Sequence, residues 1–88
     1  MERRELKELG FLNDHSQKPD QFVKEFYNNE SNLFLYVHLD SNKIEVIKSS
    51  GEEKGTEHQE IKLTNSPMDY EFINSLIGFV QVFGFKEM

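Results

Sequence analysis

Three histidines, His15, His38 and His58, are the side chains of this 88-residue chain best suited to hold a metal or move a proton, and their spacing argues against both uses. A helical zinc pair needs histidines four residues apart, and a loop site needs Cys or His ligands at short fixed intervals. Here successive histidines are at least 20 residues apart and there is no cysteine. The lack of cysteine also removes disulfides and thiol nucleophiles. Ser66, His58 and Asp69 supply the residue types of a hydrolytic triad, but no nucleophile elbow or oxyanion-hole glycine pattern frames the serine. Gly51 and Gly55 bracket a stretch that looks like a phosphate loop, yet Glu52 and Glu53 between them repel phosphate, and no Gly-Lys-Ser/Thr follows. The same acids lack the Asp-x-Asn-x-Asp-Gly spacing of a calcium loop. The expectation is a non-enzymatic protein with no metal and no cofactor.

What the chain does carry is acid. Asp and Glu number 16 against 10 Lys and Arg, a net charge of −6. Four of that surplus fall between Ser49 and Phe72, where Glu52, Glu53, Glu57, Glu60, Asp69 and Glu71 face only Lys54 and Lys62. A local negative field repels nucleic acid and anionic lipid and attracts basic protein surfaces. Direct nucleic-acid binding is therefore disfavoured, although Phe34 and Tyr36 suit a stacking platform, because only Lys43 and Lys48 are near them in sequence.

Positioning these residues falls to a few short elements. The charged share of 30% exceeds and the apolar share of 36% falls below ordinary globular values, but eight Phe and three Tyr bring large burial per residue, so one folded domain over residues 1–88 is expected. Glu2 to Leu9 reads as a short helix stopped by Gly10, with Phe11 and Leu12 docking its end onto the core. After a polar loop closed by Pro19, Gln21 to Tyr27 fits either an edge strand, with Phe22, Lys24 and Phe26 on one side, or a short helix; strand is favoured because so short a helix is weak. Leu33 to Leu39 alternates an aliphatic face (Leu33, Leu35, Val37, Leu39) with an aromatic one (Phe34, Tyr36, His38). Asp40-Ser41-Asn42 turns the chain into a strand carrying Ile44 and Val46 and ending near Lys48. Ser49 to Glu57 reads as a charged loop and Gln59 to Thr64 as a further strand.

The last helix has the strongest signals. Ser66 suits the N-cap, Pro67 the first helical position and Asp69 the first turn, while Gly84 suits the C-terminal cap with Phe85 folding back. At 100° per residue Met68, Phe72, Ile73, Leu76, Ile77, Phe79, Val80 and Phe83 gather into an arc of about 180°. The expected fold is α+β: a short N-terminal helix, a three- or four-stranded antiparallel meander, and a C-terminal amphipathic helix packed on one sheet face. Burying that arc is the main expected source of stability, so Leu76→Asp is expected to unfold the domain.

No stretch resembles a signal peptide or spans a bilayer, so a soluble cytoplasmic protein without membrane contact is expected. Short acidic chains lacking cysteine and catalytic motifs are similar in general profile to small phage-encoded inhibitors, anti-CRISPR proteins and DNA mimics among them; the likeness is one of composition. It implies a protein that binds and inhibits a partner with a basic surface, such as a nucleic-acid-binding host protein. Glu52, Glu53, Glu57 and Glu60 would stand in for phosphates, and Phe34 and Tyr36 would add sheet surface. A ligand-binding or regulatory domain with a pocket between sheet and helix near Tyr36, His38 and Tyr70 is the alternative. A thin core, a wide apolar arc and an aromatic second face also suit a homodimer.

Overall fold

The computed structural model describes residues 1–13, 19–50, 57–64 and 69–87, with 57–64 described through the backbone. It has the expected α+β layout: α1 (Arg3–Glu8), β1 (Gln21–Tyr27), β2 (Ser31–His38), β3 (Lys43–Ser50), β4 (Glu57–Thr64), α2 (Tyr70–Val82) and a two-residue β5 (Lys86–Glu87). The four long strands form an antiparallel meander. The last strand returns to the free side of the first, so the sheet order is β4-β3-β2-β1-β5.

Two turns set the register. Between β1 and β2, Asn28 Oδ1 accepts from the backbone N–H groups of Glu30 and Ser31 at 2.9 and 2.8 Å, the Asx geometry that lets asparagine replace a backbone partner. Between β2 and β3, Asn42 takes the left-handed region at φ 51°, which asparagine tolerates better than most residues. Tyr36 then lies opposite Val23 on one side and Glu45 on the other, and Phe34 opposite Glu25 and Ile47. β3 and β4 stay paired out to Ser50 and Glu57, so both strands run further than the sequence pattern suggests.

Among the described residues the buried apolar side chains of the sheet come from one face: Phe22 and Phe26 of β1, Leu33, Leu35 and Val37 of β2, and Ile44 of β3. Leu6 of α1, Phe11, Phe85, and Ile73, Ile77 and Val80 of α2 join the same cluster, so both helices pack on that face. Strand alternation supplies the sheet half of the core and helical spacing the other half.

Both helices end in the same way. In α1 the Gly10 N–H donates to Lys7 O and the Phe11 N–H to Leu6 O; in α2 the Gly84 N–H donates to Gln81 O and the Phe85 N–H to Val80 O. This is the Schellman arrangement, which needs a left-handed residue after the cap, and Gly10 and Gly84 supply it at φ 93° and 95°. Its hydrophobic pairs, Leu6 with Phe11 and Val80 with Phe85, are buried. Leu12 departs from expectation. It is 65% exposed, and its contribution is through the backbone, which bridges Val23 at the edge of β1.

The start of α2 also differs. Asp69 is the N-cap, its Oδ1 accepting from the Phe72 N–H at 2.8 Å, and the helix begins at Tyr70. Ser66 and Pro67, expected to fill those roles, lie outside the described residues. Aspartate caps as well as serine does and adds charge at the positive helix end, so its competing signal was the stronger one.

Candidate functional site

The second face of the sheet is built by the alternate residues. Phe34, Tyr36 and His38 stand in a row along β2, with neighbouring ring centroids 6.4 and 6.3 Å apart and planes within 29° and 16° of parallel. The two-residue strand period produces this ladder, since every second side chain leaves on the same face. Val23 flanks it on β1 and Ile47 on β3, both half-buried. No described helix covers this face, because α1 and α2 both contribute to the opposite core.

Next to the ladder is an open recess of about 230 Å³ lined by Gln21, Tyr36, His38, Glu45 and Ile47. Its electrostatic centre is the Glu45 carboxylate, with His38 Nε2 at 2.8 Å and Lys43 Nζ at 3.5 Å from the same oxygen. The imidazole contact is short but off the axis of a ring N–H bond, and Nε2 has no aligned hydrogen-bond partner among the described residues. Lys43 offsets the Glu45 carboxylate, which leaves little net charge in the middle of the face.

The sheet brings Phe34 and Tyr36 together as the sequence suggests, and His38 completes their row. Glu57 and Glu60 belong to β4, the outermost strand, with Glu57 opposite Ser50 and Glu60 opposite Ile47 in the backbone register. Glu52 and Glu53 lie outside the described residues. The pocket envisaged near Tyr36, His38 and Tyr70 does not form as such. Tyr36 and His38 lie on the face away from α2, and Tyr70 begins the helix on the other side. Glu45 and Ile47 escaped the sequence reading, because their place beside Tyr36 and Phe34 follows only from the β2–β3 register.

A second surface lies on α2. Ile73, Ile77 and Val80 are buried, Phe72 and Leu76 half-buried, but Phe79 and Phe83 are 61% and 66% exposed. From Phe72 to Phe83 the expected apolar arc is present, and the core covers only part of it, while Met68, its first expected member, lies outside the described residues. The two exposed rings pack edge to face, 4.9 Å between centroids at 70°. Together with Leu33, Val46, Leu76, Val80 and Phe85 they line a recess of about 240 Å³ between helix and sheet, with only apolar residues around it.

Among the described residues no group of three or more His, Asp or Glu is placed to share a metal ion. No described helix is long and apolar enough to cross a membrane. Comparison with family models, curated proteins and solved structures found no match to this chain.

Proposed function

We propose that this chain is a non-enzymatic binding protein that occupies, and thereby inhibits, a basic surface on a partner protein. The observation that carries this reading is the open sheet face. A stacked Phe34–Tyr36–His38 row, with Val23 and Ile47 beside it, offers aromatic and aliphatic area that neither helix uses for the core. Aromatic side chains dominate interface energetics once desolvated.

Charge supports a basic surface on the partner. On the edge strand the register puts Glu60, opposite Ile47, on this face and Glu57, opposite Ser50, on the other, and in sequence Glu52 and Glu53 precede that strand. A local surplus of carboxylates steers a basic partner into contact while the rings supply contact area. A nucleic-acid-binding host protein, with its groove already built for phosphates, fits this chemistry, which is the anti-CRISPR or DNA-mimic mode of inhibition. A second reading, a small ligand-binding or regulatory domain, is favoured by the apolar recess between α2 and the sheet.

The test is affinity capture from nuclease-treated host lysate with three forms of the protein: wild type, a combined Glu52→Lys, Glu53→Lys, Glu57→Lys form, and a combined Phe34→Ser, Tyr36→Ser form. A basic protein retained by the wild type, released by moderate salt and missing from both variants supports the proposal. Retention unaltered by charge reversal removes the basic partner. Retention unaltered by loss of the rings removes the sheet face.

A further inference from the structure

The surface on α2 differs from the sheet face in lacking charge. From Phe72 to Phe85 no residue is ionisable, in a chain where 30% of residues are charged. Within this run Phe79, Val82 and Phe83 are 61%, 83% and 66% exposed. They lie within four residues of one another on adjoining turns, so they form one continuous patch rather than scattered contacts. Beside them Gly78 has open space where a side chain would stand, which lets another backbone come close.

We infer that this patch is the interface of a symmetric homodimer, formed by α2 of one copy against α2 of another. Charge selects this occupant. A basic partner gains nothing from a neutral surface and is drawn to the acids instead, whereas two copies that each carry −6 can meet at low electrostatic cost only across a neutral one. Shape agrees with charge. A dry apolar cavity of about 150 Å³ already admits benzene. The 240 Å³ recess between Leu33, Val46, Leu76 and Phe85 therefore has room for a phenyl ring from the second copy. In a two-fold arrangement each copy offers a ring and a recess, so the surface is self-complementary.

Area sets the strength. The three exposed side chains present roughly 400 Å² per copy. With Ser75 and Gly78 on the side of Val82, a two-fold contact buries on the order of 1,000 Å² in total, the low end for specific association. The dimer is thus reversible and concentration-dependent. The inference stands apart from the proposed function, since it uses the opposite side of the sheet and has the opposite salt dependence. Salt weakens an acidic–basic pairing but strengthens a contact between two like-charged copies by screening their repulsion.

Sedimentation equilibrium of the full chain from about 1 µM to about 1 mM, at low and high salt, tests it. The wild type is expected to shift from one chain to two as concentration rises, at lower concentration in high salt. Phe79→Glu and Val82→Glu, each keeping the wild-type circular dichroism spectrum, are expected to raise the dissociation constant at least about 30-fold. Val82 is the more exposed, so it serves if the Phe79 variant fails to fold. A wild type that stays single at the highest concentration overturns the inference. So does a dimer indifferent to both substitutions, or one abolished by Tyr36→Ser, which would place the contact on the other sheet face. Saturable binding of dodecanoate by a chain that never dimerises would assign the recess to a small apolar ligand instead.

Discussion

The Lys24 ammonium lies 3.5 Å from a Glu87 carboxylate oxygen, and this pair joins the first strand of the sheet to its last. Lys24 points from β1 into the core face, where it is buried, and its Nζ passes 5.7 Å from the centre of the Phe26 ring. Glu87 belongs to β5, which pairs with Phe26 and Tyr27 of β1. A lysine amid Phe22, Phe26 and Leu35 needs compensation, and the C-terminal strand brings it.

That arrangement has an asymmetric consequence. Glu87→Ala leaves the Lys24 charge without its carboxylate and is expected to cost about 1 kcal/mol, a modest figure because Glu87 is itself 44% exposed and screened by water. Lys24→Met removes the charge while filling the same space, and is expected to leave stability equal or higher. Urea denaturation of both variants measures the difference. Equal losses would mean that the ammonium contributes attraction rather than a compensated penalty.

Gly10 and Gly84 have the same backbone conformation but different surroundings. A Cβ on Gly10 would collide with Lys24 Nζ, while one on Gly84 meets open space. Alanine at either position carries the left-handed penalty, about 1–2 kcal/mol. Gly10→Ala is expected to cost more than Gly84→Ala because it also displaces the lysine. Repeating Gly10→Ala in the Lys24→Met background, again by urea denaturation, should close that gap.

Asp69→Ala is expected to lower stability by about 1 kcal/mol through loss of the bond to the Phe72 N–H, with Asp69→Asn retaining most of it. Thermal melts of the two variants check this. A Ser66→Ala loss larger than that of Asp69→Ala would return the cap to Ser66.

The divided arc of α2 separates two kinds of apolar residue. Ile73 is fully buried, and Ile73→Ala is expected to cost about 2–5 kcal/mol. Phe79→Ser, at an exposed position, should change the stability of a dilute sample by about 0.5 kcal/mol or less. Calorimetry at low protein concentration distinguishes the two, and comparable losses would mean that Phe79 belongs to the core after all.

Much of the fold was legible because its signals are local. Leu33, Leu35 and Val37 alternate with Phe34, Tyr36 and His38, and the two-residue period dictates two faces of different character before any partner strand is known. Gly10 follows a short charged helical segment and Gly84 an apolar one, and both mark helix ends for a steric reason that needs no tertiary context. The acidic surplus between Ser49 and Phe72 is likewise a property of the chain alone.

Tertiary structure decided what depends on residues far apart in sequence. Gln21–Tyr27 can be read with either period, and pairing with β2 and β5 makes it a strand. Two residues have no period, so Lys86–Glu87 becomes a strand only because β1 presents an unpaired edge. Lys24 faces the core against its polarity because its alternation with Phe22 and Phe26 requires it and Glu87 meets it there. The breadth of the α2 arc was written in the sequence. Which part of it the sheet covers was not, since that depends on where the helix crosses the strands, and that crossing leaves Phe79 and Phe83 open to solvent.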